Sequence, residues 1–177
     1  VVLGFDGSKS WDSTALIGAT LDGLVFEVGV WERPVDAPPG WHVPRSEVDA
    51  ALDRAIGTYD VRRVACDPSL WSTEVEDWAT RYGEDIVLEF PNSNARMGPA
   101  CQRFYAATLE GAVRHDGSAT LERHIRNAAT KDTRYGVTIV KQQYTRKIDA
   151  AIAAVMAYES ARTLAEDPDT PVMVAVV

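Results

Sequence analysis

The stretch Ile148-Asp-Ala-Ala-Ile-Ala-Ala-Val-Met-Ala157 opens an alanine-rich segment that keeps helical character to about Leu164. Alanine and unbranched residues favour a helix, and this one leaves almost no polar face. Such a helix must be enclosed by other elements, so the chain has to fold around it. The single charge in its first turn, Asp149, fits two readings. An acid there complements the helix dipole, worth roughly 0.3–1 kcal/mol. Yet Ile148, Ala150, Ala151, Ile152, Ala153, Ala154 and Val155 surround it with apolar surface, which points Asp149 against a sheet instead of water.

The material to enclose it lies upstream. Val1–Asp6 reads as a short strand, and Ser13–Thr20 and Leu24–Trp31 flank the turn Leu21-Asp22-Gly23 as a hairpin. Proline and glycine at 34, 38, 39, 40 and 44 make the next stretch an exposed connection. A helix follows, with Ser46 as its expected cap, then a strand at Val61–Asp67. Ser72 is expected to cap a helix to Tyr82, and Ile86–Phe90 is a fifth strand stopped by Pro91. Helical spacing continues from Met97 to about Arg114, breaks at His115-Asp-Gly117, and resumes from Thr120 to Ala129. A hairpin centred on Tyr135-Gly136 separates this from the apolar helix. The order predicts an α/β fold: a central mixed five-stranded sheet, three antiparallel strands then parallel ones, flanked by helices. With 177 residues, 46% hydrophobic and 25% charged, one domain is expected over 1–167, with a tail at 168–177. The opening in mid-strand without a methionine suggests a piece of a longer protein.

Composition removes several function classes. No apolar run approaches the roughly 20 residues of a membrane-spanning helix. Cys66 and Cys101 form no Cys-x-x-Cys pair, which suits a reducing cytoplasm and gives no zinc signature. The net charge of −8 argues against coating nucleic acid by electrostatics alone. It is unevenly spread, however: residues 1–94 carry −10, residues 95–147 carry +6 and residues 148–177 carry −4. Lys131, Arg134, Lys141, Arg146 and Lys147 are set against only Asp132, and this run is expected to form a phosphate-contacting hairpin, the alternative being a solvated basic one. Lys147 either approaches a phosphate or snorkels over the core.

Two strands end in aspartate, at Phe5-Asp6-Gly7 and Cys66-Asp67-Pro68. If these strands are parallel neighbours, their ends lie about 5 Å apart and the two carboxylates repel. A shared proton or a divalent cation resolves that repulsion, and hard oxygen ligands suit magnesium or manganese. The remaining prominent residues read as structural: Trp11, Trp31, Trp41, Trp71 and Trp78 as packing anchors, Cys66 as a core residue, His115 and His124 as capping or packing groups. Asn92-Ser-Asn94 either borders the site or serves its turn.

Gly4-Phe-Asp-Gly-Ser8, Ala65-Cys-Asp-Pro-Ser69 and Lys147-Ile-Asp-Ala-Ala151, in this order on these elements, resemble the nuclease domain of phage terminase large subunits, within the ribonuclease H-like superfamily. Leu109–Gly117 with Leu121 and His124–Ala128 is similar to that family's helix-turn-helix segment. The resemblance implies a metal-dependent endonuclease that cuts concatemeric double-stranded DNA during packaging, in the cytoplasm of the infected host cell. It implies Asp6, Asp67 and Asp149 as catalytic and metal-binding residues, with two divalent cations: Asp6 shared, Asp67 and Asp149 holding one each. It further implies an N-terminal ATPase domain in the full-length chain, with the terminase small subunit and the capsid portal as partners. No Gly-x-x-x-x-Gly-Lys-Ser/Thr occurs, so no ATP site is expected in this fragment. The alternatives are an actin- or sugar-kinase-like nucleotide-binding fragment, suggested by Phe5-Asp-Gly-Ser8, a resolvase or transposase-type enzyme, and an inactive portal-docking module.

Overall fold

Strand β1 (Val2–Asp6) is buried at every position, as a central strand covered on both faces must be. In the computed structural model, which describes residues 1–9 and 12–166, β1 pairs antiparallel with β2 (Thr14–Ala19), and β2 with β3 (Leu24–Trp31). On its other side β1 pairs parallel with β4 (Arg63–Cys66), which pairs parallel with β5 (Val87–Glu89). A sixth strand, β6 (Arg114–His115), lies parallel to β3, so the order is β5-β4-β1-β2-β3-β6.

The sheet thus has six strands where the sequence predicts five. The extra one was hidden because two exposed polar residues carry no strand signal. The helix expected to reach Arg114 also ends earlier: α3 spans Asn94–Leu109, after which Gly111 turns at φ 72° and Ala112 N–H bonds back to Ala107. The remaining helices are α1 (Arg45–Thr58), α2 (Ser72–Tyr82), α4 (Ala119–Asn127) and α5 (Asp149–Ala165). Neither Ser46 nor Ser72 is a cap. Pro44 and Trp71 hold those positions, without a capping side-chain hydrogen bond. The basic hairpin forms as β7 (Ala128–Thr133) and β8 (Gly136–Lys141), a separate two-stranded sheet, but it holds only Lys131, Arg134 and Lys141, while Arg146 and Lys147 lie in the connection to α5.

Period-two alternation on β1 assigns its two faces. Leu3 and Phe5 pack with Leu52 and Val48 of α1 and Trp78 of α2, while Val2 packs with Ala153, Ala154 and Ala157 of α5. Every α5 residue from Asp149 to Ala161 is buried, as expected for a helix lacking a polar face. The described tryptophans pack as expected: Trp71 and Trp78 are buried, and Trp31 and Trp41 lie against the same cluster. Trp11, the 167/168 boundary and the tail at 168–177 lie outside the described residues.

Candidate metal and nuclease site

Backbone register brings the two strand-end aspartates together. Phe5 pairs with Cys66 in the parallel β1–β4 ladder, and Asp67 N–H donates to Phe5 C=O at 2.9 Å. Asp6 and Asp67 therefore emerge side by side, at the C-terminal edge of adjacent strands and on the face covered by α5.

Asp149 arrives through a close contact two residues earlier. A Cβ on Gly4 would lie 2.1 Å from the Ala153 carbonyl oxygen and 2.7 Å from the Ala157 nitrogen, so only glycine lets α5 sit this near β1. Four helical residues back from Ala153 is Asp149, and two strand residues on from Gly4 is Asp6. The rises match, about 6 Å along the helix and about 6.6 Å along the strand. The three carboxylates are thereby gathered at one end of the β1–α5 contact, with exposures of only 8%, 7% and 7% for Asp6, Asp67 and Asp149.

Burial pushes the Asp6 carboxyl well above its ordinary range, and the negative charges of Asp149 and Asp67 push it further, against an opposing pull from Lys141. Three carboxyl groups share a space that water barely reaches. Among the described residues, no three His, Cys, Asp or Glu side chains are grouped tightly enough to hold a metal ion as they stand. Asp149 Oδ2 accepts a hydrogen bond from Ser13 Oγ at 2.5 Å, and Asp67 Oδ1 accepts from the backbone N–H of Asn92 at 3.3 Å and of Ser69 at 3.4 Å. Asn92 thus borders the site.

Of the five basic residues, the structure brings two beside this cluster. Lys141, at the base of the hairpin, pairs with Asp12, and Lys147 reaches the same carboxylate at 3.3 Å. Burial lowers the Lys141 pKa, partly offset by Asp149 and Asp6. Lys131, Arg134 and Arg146 are exposed. Arg134 stands at the hairpin turn, where its guanidinium lies 4.6 Å from the Tyr135 ring centroid. With β8 rising about 3.4 Å per residue, the turn is on the order of 17 Å from Lys141. Arg146 donates to Gln142 at 3.3 Å.

Sequence reasoning missed Asp12 and Ser13. Ser13 had a usable signal: it shares parity with Ala15, which faces Asp6 across the β1–β2 register, so it lies on the α5 side. Asp12 had none, because its partners stand far away in the chain. Cys66 is a core residue as expected, with burial and then Asp67 raising its thiol pKa.

A mixed sheet ordered β5-β4-β1-β2-β3-β6, an antiparallel meander flanked by parallel strands and covered by helices, is a ribonuclease H-like fold. The model of one family in that class, terminase large subunit, endonuclease domain, matches residues 46–165, and the chain belongs to that family. The Gene 13 proteins of Mycobacterium phages L5 and D29 are each 34% identical in an alignment that covers 89% of this chain and 28% of theirs. The chain therefore spans under a third of the length of these curated relatives. The large terminase of bacteriophage HK97 superposes at a TM-score of 0.68 with 26% identity, over 89% of this chain and 38% of that one. The large terminase nuclease of thermophilic phage G20c, in a structure with bound magnesium, shares the fold at a TM-score of 0.61 and 20% identity, over 89% of this chain and 79% of that one. No described helix is long and apolar enough to cross a membrane.

Proposed function

We propose that this domain is a metal-dependent endonuclease that cuts concatemeric double-stranded DNA during viral genome packaging, in the cytoplasm of the infected host. The observation that carries the reading is the gathering of Asp6, Asp67 and Asp149 in one site, where burial and then the neighbouring carboxylates raise the Asp6 pKa. Carboxylate oxygens that repel one another are the donor set a hard divalent cation suits, and the G20c nuclease has been crystallised with bound magnesium. When bound, two such ions supply an activated water and charge stabilisation at the phosphoryl and leaving oxygens. Asp6, which senses both other carboxylates, is the ligand both ions would share, with Asp67 and Asp149 holding one each. Manganese serves as well as magnesium for this oxygen-rich set.

Around them the chain's own groups orient the ligands. Ser13 fixes Asp149, and the Asn92 and Ser69 amides fix Asp67. Asp12 ties Lys141 and Lys147 to the edge of the site, where both ammonium groups meet the approaching phosphate backbone. Lys131, Arg134 and Arg146 extend this contact along the DNA. The ATPase motor, the small subunit and the portal belong to the rest of the packaging assembly.

Plasmid digestion with magnesium, manganese or chelator tests the reading. Asp6→Asn, Asp67→Asn and Asp149→Asn should each abolish metal-dependent cutting, by about 10³-fold or more, with an unchanged circular dichroism spectrum. Cutting retained by all three variants overturns it.

A further inference from the structure

Helix α5 begins without a cap of its own. Its N-cap residue is Ile148, which has no acceptor and packs instead with Met97 and Phe90. The Ala150 N–H in the first turn is buried with its residue, so water cannot serve it. His124 serves it from α4: its ring is fully buried, and Nδ1 accepts from Ala150 N–H at 2.9 Å. A ring nitrogen that accepts carries no proton, so the neutral ring holds its hydrogen on Nε2. Nε2 lies 3.0 Å from Glu32 Oε1 and donates to it. Arg123, next to His124 in sequence, grips the same carboxylate with both arms, at 3.0 and 2.7 Å. The His124 hydrogen bond, then Arg123, pull the Glu32 carboxyl down to about 2 against the opposing effect of burial, so Glu32 is an anion at neutral pH.

We propose that His124 is a positioning residue for the nuclease site: carried on α4 and oriented by Glu32 just beyond β3, it fixes the first turn of α5 and so the backbone that presents Asp149. Ile148 is committed to the core, and a serine or aspartate there would cap the helix but leave its start untied to α4. The His124 ring makes that tie, while Ser13 holds the Asp149 carboxylate. Asp149 is thus located by two supports from separate elements, the arrangement by which outer partners orient metal-ligating side chains. This deepens the reading of Asp149 as a metal ligand and rests on it.

Two amide substitutions separate the bonds. In His124→Asn, Oδ1 stands where Nδ1 stood, keeping the Ala150 cap and losing Glu32. In His124→Gln, the longer amide reaches Glu32 and loses the cap. His124→Leu loses both. Manganese calorimetry and amide hydrogen exchange at Ala150 in the metal-free 177-residue protein give the readouts. His124→Asn should keep Ala150 protected and bind manganese within about threefold of wild type, whereas Gln and Leu should weaken binding by about 10-fold or more and speed Ala150 exchange. Equal manganese affinity in Asn and Gln, or an Asn variant that does not fold, overturns the positioning role. A wild-type chain that takes up no manganese overturns the metal reading itself, and the exchange contrast would then report a helix cap alone.

Discussion

On one face of the sheet Phe5 meets Trp71 and Trp78 edge to face, with centroids 5.1 and 5.0 Å apart, and Leu3, Leu16 and Leu52 fill the remaining space. On the other face Gly4 and Ala15 meet Ala150, Ala153, Ala154 and Ala157. Large side chains hold α1 and α2 away from the sheet and stabilise it by the area they bury. Small ones let the α5 backbone come within contact of β1 and fix its axial position. The first face supplies stability. The second supplies registration, without which Asp149 would not stand opposite Asp6.

Trp78→Ala should produce the largest stability loss, about 3–5 kcal/mol in denaturant unfolding, with cutting per folded molecule close to wild type. Equal damage to activity would break the division of labour. Gly4→Ala is its counterpart. The added Cβ meets backbone atoms that cannot rotate away, so stability should fall by about 1–3 kcal/mol, and cutting by a further ~10²-fold as Asp149 is displaced.

Asp6→Asn sharpens the contrast in the opposite direction. The folded-state pKa of Asp6 lies above its ordinary 3.8, so the Asp6 contribution to the stability of the metal-free protein is fully present below that value and is lost as pH rises through the raised one. Removing the charge should therefore raise the metal-free melting temperature at pH 7 by about 2–4 °C per kcal/mol regained, while leaving it nearly unchanged at pH 3. A melting temperature lowered at pH 7 would contradict the electrostatic account. The smallest effect belongs to the hairpin tip. Neutralising Lys131 and Arg134 together should reduce the slope of log affinity against log salt by about 2, with cutting at low salt preserved. An unchanged slope would confine DNA contact to the hairpin base.

The hairpin itself docks through another close approach. A Cβ on Gly98 of α3 would stand 2.7 Å from the Tyr135 carbonyl oxygen. This explains how a two-stranded sheet, too small to be stable alone, keeps Lys141 beside the acids.

Legibility followed the range of the forces involved. The strands and helices were readable from local periodicity, and the pairing of Asp6 with Asp67 followed from topology, since adjacent parallel strands leave their ends no other arrangement. The two-residue β6 was invisible because its pairing to β3 rests on backbone hydrogen bonds, which every residue offers alike. His124 was read as a capping or packing residue, and it does both. What it caps could not be read, since 26 residues separate it from Ala150.

The sequence alone determined that a helix with no polar face must lie in the core and that its one acid must be held there, because burying apolar surface and a charge are demands each residue carries with it. Tertiary structure alone decided where that acid stands: the height of α5 on β1, the Ser13 hydroxyl and the His124 ring are contacts between segments distant in the chain, and their geometry exists only once the layers have closed on one another.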